Sequence, residues 1–198
     1  MKLTQGSRGR LFELLKRLSY EQRDTEIVLA SGASSNEYVD CKQTALHPEG
    51  ARALGQALYD ACLRIEGATN RTGAGIGGMS IGADPLATAT SLAALENGRV
   101  LPAYLVRKDP KGHGTQAYLE GLKNIPAGAD VLMLEDVVTT GGSTLQAAER
   151  VRAAGLNPIG VAVIIDREVG GMAALEAAGL PALSLFKLSE FRSDSVSD

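Results

Sequence analysis

The feature that most constrains the fold is a set of short, almost continuously apolar runs separated by helix-like stretches. Residues 101–106, 130–134, 159–165 and 181–186 read as strands, and 73–78 as a glycine-rich strand or loop. Between them, residues 85–95, 143–153 and 170–178 read as helices, with Pro85 in a first turn where its missing N–H costs nothing. A strand that is apolar at successive positions must be covered on both faces, whereas a one-sided strand alternates. Apolar strands alternating with helices therefore predict an α/β fold with a mostly parallel central sheet flanked by helices.

Upstream the pattern is shorter and more mixed. Leu11, Leu14, Leu15 and Leu18 recur at helical spacing and predict a helix over 8–19. Residues 26–29 and 38–42 read as short strands around a turn at 31–36. A helix over 47–65 carries Ala51, Leu54, Leu58 and Ala61 on one face. These elements predict a small N-terminal cap or hood, about residues 1–68, on an α/β core of about 69–190. The 198 residues thus form a single domain, with a frayed tail at 193–198.

Composition excludes several classes of function. Aromatics are 4% of the chain, Trp is absent and the net charge is −3, so a nucleic-acid binder built on stacking or on a basic surface is not expected. No apolar run approaches the roughly 20 residues of a membrane span. The opening MKLTQGSRGR lacks a signal-peptide core. Cys41 and Cys62 have no CxxC spacing, and His47 and His113 are too few for a histidine metal centre. The cytoplasm is the expected compartment.

Ligands of open α/β sheets bind beyond the carboxyl ends of the strands, and three exits carry chemistry. The first is Val131-Leu132-Met133-Leu134-Glu135-Asp136-Val137-Val138-Thr139-Thr140-Gly141-Gly142-Ser143. An apolar strand delivers two carboxylates, a loop of 135–142 follows, and a helix opens at Ser143. Glycines let amides turn toward an anion, and the helix start adds roughly half a positive charge. No Lys precedes Ser143, so this is not a Walker loop. A phosphate cup beside two acids suits a sugar phosphate, with the acids facing hydroxyls or a divalent ion. The second exit leads into Arg107-Lys108-Asp109-Pro110-Lys111-Gly112-His113-Gly114-Thr115, a cationic loop with glycines that would let a lid close over a polyanion. The third is Asp166-Arg167-Glu168, where a guanidinium fork could take a planar carboxylate.

The segment 131–143 resembles the thirteen-residue signature of the type I phosphoribosyltransferases. The Arg-Lys-x-x-Lys-x-His order and the Asp-Arg exit resemble the orotate phosphoribosyltransferases within them. The resemblance extends to Leu29-Ala30-Ser31-Gly32 and Tyr38-Val39-Asp40, similar to the family's early loop over the pyrimidine, and to 78–87, similar to its pyrophosphate-side loop. It implies the type I fold and Mg²⁺-dependent transfer of ribose 5-phosphate from phosphoribosyl pyrophosphate (PRPP) to orotate. The products would be orotidine 5′-monophosphate and pyrophosphate, in de novo pyrimidine (UMP) biosynthesis. By the same resemblance, Arg107, Lys108, Lys111 and His113 bind pyrophosphate, partly across a homodimer interface. Glu135 and Asp136 hold ribose hydroxyls and lie near Mg²⁺, which is held mainly through PRPP. Val137, Val138, Thr139, Thr140, Gly141, Gly142 and Ser143 cradle the 5′-phosphate, and Thr139 and Arg167 bind orotate. Lys111, His113 and Asp136 are the implied catalytic residues.

Two positions depart from the family: many members carry Lys where this chain has Ala30 and Gly82. Lys42 is a candidate substitute for the first. A purine or uracil phosphoribosyltransferase would share the cup, and a PRPP-sensing regulator would add a basic face. The segment Gly73-Ala74-Gly75-Ile76-Gly77-Gly78 contains GxGxxG, but it follows a polar stretch and opens into no helix, so dinucleotide binding is not expected.

Overall fold

The computed structural model describes residues 5–28, 34–110 and 118–192. Its centre is a six-stranded sheet in the order β5-β4-β3-β6-β7-β8. The strands are β3 (Ile76–Met79), β4 (Ala103–Val106), β5 (Leu119–Glu120), β6 (Asp130–Val138), β7 (Asn157–Asp166) and β8 (Ala182–Lys187). All pairs are parallel except β4 with β5.

The continuous apolar runs are two interleaved patterns. In β6, Leu132 and Leu134 face one core while Val131 and Met133 face the other. In β7, Ala162 and Ile164 join the first and Val161 and Val163 the second. Each strand therefore buries successive residues on opposite faces. Helices α3 (Pro48–Thr69) and α4 (Ala83–Glu96) cover the first face through Leu54, Leu58, Leu86 and Ala87. Helices α5 (Gly142–Ala153) and α6 (Gly171–Ala177) cover the second through Ala147, Ala148, Val151 and Leu175. The crossover β3-α4-β4 runs toward one edge of the sheet, and β6-α5-β7-α6-β8 toward the other. Right-handed connections in opposite directions put their helices on opposite faces. The order reverses between β3 and β6, which opens a crevice at their carboxyl ends.

The hood is an antiparallel pair, β1 (Tyr20–Val28) with β2 (Ser34–Val39), pairing Tyr20 with Val39 and Ile27 with Ser35. Helix α1 (Gln5–Ser19) precedes it and buries Leu11, Leu14 and Leu15, three of the four predicted face positions. All three phenylalanines of the chain, Phe12, Phe186 and Phe191, form one cluster with Tyr20, with ring centroids 4.8–6.1 Å apart. This cluster joins α1, the hood, β8 and the 3-10 turn Leu188–Arg192. Helix α3, counted with the N-terminal segment from sequence, packs on the sheet.

Several boundaries differ from the sequence expectation. Residues 34–36 belong to β2 and not to a turn. The strand expected at 38–42 ends at Val39, because the Asp40 side chain accepts from the Lys42 N–H and caps a short helix, α2 (Cys41–Ala45). Helix α4 starts at Ala83, two residues ahead of Pro85. Strand β6 runs on through Glu135, Asp136, Val137 and Val138, where a loop was expected from 135. Polar residues suggested a loop there, but β7 pairs alongside as far as Val138 with Asp166 and holds the strand straight. Glycines 77 and 78 lie inside buried β3, where a side chain would strike neighbouring strands, which accounts for the GxGxxG run. The predicted tail at 193–198 lies outside the described residues. Among the described residues no helix is long and apolar enough to cross a membrane.

Candidate active site

The exit of β6 is the centre of the crevice. Residues 137–144 with Glu135 line a cavity of about 290 Å³. Gly141 caps α5 with φ of 83°, a left-handed conformation that favours glycine. Its carbonyl accepts from the Leu145 N–H at 2.9 Å, closing the first helical turn. The amides of that turn have no partners within the helix and point into the cavity, and α5 has no acidic residue in its first turn to compete for them. Thr139, Thr140 and Ser143, which carry hydroxyls, line the same cavity, an arrangement that suits an anion.

The two acids differ in environment. Glu135 is 7% exposed and accepts from the Thr144 hydroxyl at 2.7 Å. Burial, and then the charge of neighbouring Asp136, push its carboxyl well above the usual carboxylate range. Asp136 is half-buried and accepts from the Val137 N–H at 2.9 Å. Its carboxylate lies against Gly82, where a Cβ would come within 2.7–2.8 Å of it. The position at which many family members carry Lys is therefore filled here by the close approach of α4 to Asp136. Lys42, bonded to Asp40 at 2.5 Å, is near enough to Asp136 for that charge to help raise its pKa, although burial opposes the shift as the largest influence. Lys42 thus sits beside Asp40 and near Asp136; Ala30, whose place it was a candidate to fill, lies outside the described residues.

Arg167 stands at the exit of β7, its N–H donating to the Val138 carbonyl at 3.0 Å, which sets it beside Thr139. Its guanidinium donates from Nη2 to Ser35 Oγ at 3.1 Å and to the Glu37 carbonyl at 3.4 Å, both on β2 of the hood. Asp166 stays at the strand end and accepts from the Glu168 N–H at 2.8 Å.

The cationic loop leaves β4 and returns as β5, so it is the loop of an antiparallel hairpin. Its base is held firmly. The Arg107 N–H donates to the Tyr118 carbonyl at 2.7 Å, and Arg150 of α5 donates to the Arg107 carbonyl at 2.6 Å. Arg150 also lies over the Tyr118 ring, 4.2 Å from its centroid. The Arg107 side chain pairs with Glu120 at 3.2 Å, and Lys108 is exposed. Lys111 and His113 lie outside the described residues, as does Ala30. The structure thus brings Glu135 and residues 137–143 together around one cavity, with Asp136 next to them on β6, Arg167 beside Val138 at the exit of β7, and Arg107 and Lys108 at the start of the cationic loop.

Sequence reasoning missed Ser35, Glu37 and Arg150, and read Thr144 only as a hydroxyl at the helix start, not as the partner of Glu135. Thr144 had a legible signal, a hydroxyl one residue into the helix after Ser143. The others meet their partners only through tertiary contact, at separations such as the 132 residues between Ser35 and Arg167.

This geometry can be set beside known proteins. No protein-family model matches the chain. The chain is 43% identical over 188 residues to the orotate phosphoribosyltransferase of Sorangium cellulosum, covering 95% of this chain and 94% of that protein. The chain belongs to the orotate phosphoribosyltransferase family. A second relative with the same name, from Nostoc sp., is 40% identical over 93% of this chain and 85% of its own length. Among solved structures, the orotate phosphoribosyltransferase of Mycobacterium tuberculosis in complex with PRPP superimposes with a TM-score of 0.73 at 33% identity, covering 94% of this chain and 99% of that one. The family is that of the resemblance read from residues 107–113, 131–143 and 166–167, and the mostly parallel sheet is its fold.

Proposed function

We infer that this chain transfers the 5-phosphoribosyl group of PRPP to N1 of orotate, giving orotidine 5′-monophosphate and pyrophosphate in de novo pyrimidine (UMP) synthesis. The observation that carries the reading is the cavity at the start of α5, lined by Glu135 and residues 137–144, with Arg167 at the neighbouring strand exit, its N–H on the Val138 carbonyl. The cup suits the 5′-phosphate, and Arg167 with Thr139 suits the carboxylate of orotate. Glu135 and Asp136, next to the cup on β6, are the residues we assign to the ribose hydroxyls. In the reaction, the C1′–oxygen bond to pyrophosphate breaks as the C1′–N1 bond forms, and the N1 proton of orotate passes to the departing pyrophosphate or to solvent. The oxygen takes the bonding electrons, so negative charge grows on pyrophosphate. Arg107, Lys108, Lys111 and His113 are the cations we assign to that charge, with Lys111 and His113 as the catalytic pair and Asp136 facing the ribose. No side-chain nucleophile is required, and the protein acts by positioning.

Mg²⁺ fits the donor set, since two adjacent carboxylates are hard oxygen ligands. We propose that the ion is held mainly by PRPP and water, with Glu135 and Asp136 nearby. When bound, the ion would neutralise pyrophosphate charge. We further propose a homodimer in which the basic loop reaches the neighbouring site. Free, buried Cys41 and Cys62 suit a reducing cytoplasm.

The test mixes purified protein with PRPP and Mg²⁺ and offers orotate, uracil, adenine, hypoxanthine and guanine separately. Turnover with orotate alone, abolished by chelator, is the expected result. Turnover with a purine or uracil instead would overturn the base assignment, and PRPP binding without any turnover would make the chain a sensor.

A further inference from the structure

The hood carries a buried carboxylate that the reaction above does not use. Glu37 of β2 has a side chain only 7% exposed. Arg192 closes on it with three hydrogen bonds: Nε to Oε1 at 2.9 Å, Nε to Oε2 at 3.0 Å and Nη2 to Oε2 at 2.5 Å. Tyr20 of β1 donates its hydroxyl to the same carboxylate at 2.9 Å. One carboxylate thus ties both hood strands to the 3-10 turn Leu188–Arg192. The Arg192 guanidinium holds the Glu37 carboxyl below the usual range against the cost of burial. The Tyr20 phenol is pushed up to about 12, by burial first and then by Glu37.

The main chain of this same residue touches the base-binding arginine. Arg167 Nη2 donates to the Glu37 carbonyl and to Ser35 Oγ, and Ser35 Oγ accepts from the Glu37 N–H at 3.0 Å. Arg167 also feels the Glu37 side-chain charge, and that of Arg192 in the opposite sense, while burial is the largest influence on it. Two cations therefore face one buried anion. A carboxylate here without Arg192 would hold Arg167 to itself, since an unpaired buried charge takes the nearest partner.

We propose that Arg192 and Glu37 are positioning residues for orotate: Arg192 neutralises Glu37 and so leaves the Arg167 guanidinium free to take the carboxylate of the incoming base, while Glu37 holds β2 where its backbone orients that guanidinium. The proposal rests on the reading of Arg167 as the orotate anchor. It makes the last described turn of the chain a determinant of base affinity and leaves the PRPP cup untouched.

The test is steady-state kinetics with each substrate varied in turn. Arg192→Ala should raise the orotate KM about tenfold, the scale of one charge-assisted contact, with the PRPP KM within about twofold. The double variant Arg192→Ala/Glu37→Gln should recover most of that loss, because the competing anion is gone. A merely structural pair would show both its loss and its recovery in melting temperature with the orotate KM unmoved, and that result overturns the proposal. So does an equal rise in both KM values. If Arg192→Ala does not fold, Ser35→Ala removes one Arg167 contact from a half-buried site and should raise the orotate KM about threefold with the PRPP KM unchanged; no rise overturns the proposal. Arg167→Ala separates the two layers. An unchanged orotate KM there defeats the anchor reading itself, whereas a raised KM there with an unchanged one in Arg192→Ala defeats only the positioning role.

Discussion

Glu135 shows how one residue can trade stability for function. Its carboxyl is buried beside Asp136, and its pKa is raised in the folded chain above the unfolded value. Such a group supports the fold fully below its unfolded pKa, and that support is lost as pH rises through the raised value. Glu135→Gln keeps an acceptor for the Thr144 hydroxyl and removes the charge. The variant should melt higher than the parent at pH 8–9, by about 3 °C, and the gap should close toward pH 5. Its PRPP KM should rise at pH 8–9, where the parent carboxyl is ionised and a ribose hydroxyl loses a charged acceptor, and lie near the parent's at pH 6. Melting curves over pH 5–9 check the first claim, and a gap independent of pH would contradict it. The pair Glu135-Asp136 was legible from the sequence as two acids on a strand exit. Their unequal burial was not, because it depends on Thr144 on one side and on Gly82 of α4 on the other.

At the scale of elements, strand and helix identity was legible wherever periodicity ran long. The run 159–165 is the interior of β7, and 143–153 is α5 to within one residue. Errors fell where a neighbour overrides local preference: β6 continues past Leu134 because β7 pairs beside it, and residues 40–42 turn helical around the Asp40 cap. The two-residue strand β5 carries no periodicity at all, yet it makes the cationic loop a hairpin. Arg150 fastens that hairpin by its bond to the Arg107 carbonyl and its place over Tyr118. Arg150→Ala removes a charge-assisted hydrogen bond and a cation–π contact, together about 2–3 kcal/mol of local order. It should lower kcat/KM for PRPP at least tenfold while lowering the melting temperature only by a few degrees. A proportionate loss of both would mean that α5, and not the loop base, has been damaged.

At the scale of the molecule, the two-sided burial of the strands announced a parallel sheet, and the reversal of order between β3 and β6 puts the crevice at their exits. The junction of hood and core was not legible, because its aromatic cluster and its Glu37–Arg192 pair join residues far apart in the chain. That junction has a consequence for connectivity. Arg8 near the start of α1 donates to Glu190 in the last described turn at 2.6 Å, so the first and last described segments meet. A peptide bridging the two ends, with new ends opened at the exposed turn around Gly98, would change the order of threading without touching the crevice. Such a circular permutant should keep orotate turnover within about tenfold of the parent, because the site is a property of which segments meet and not of which comes first.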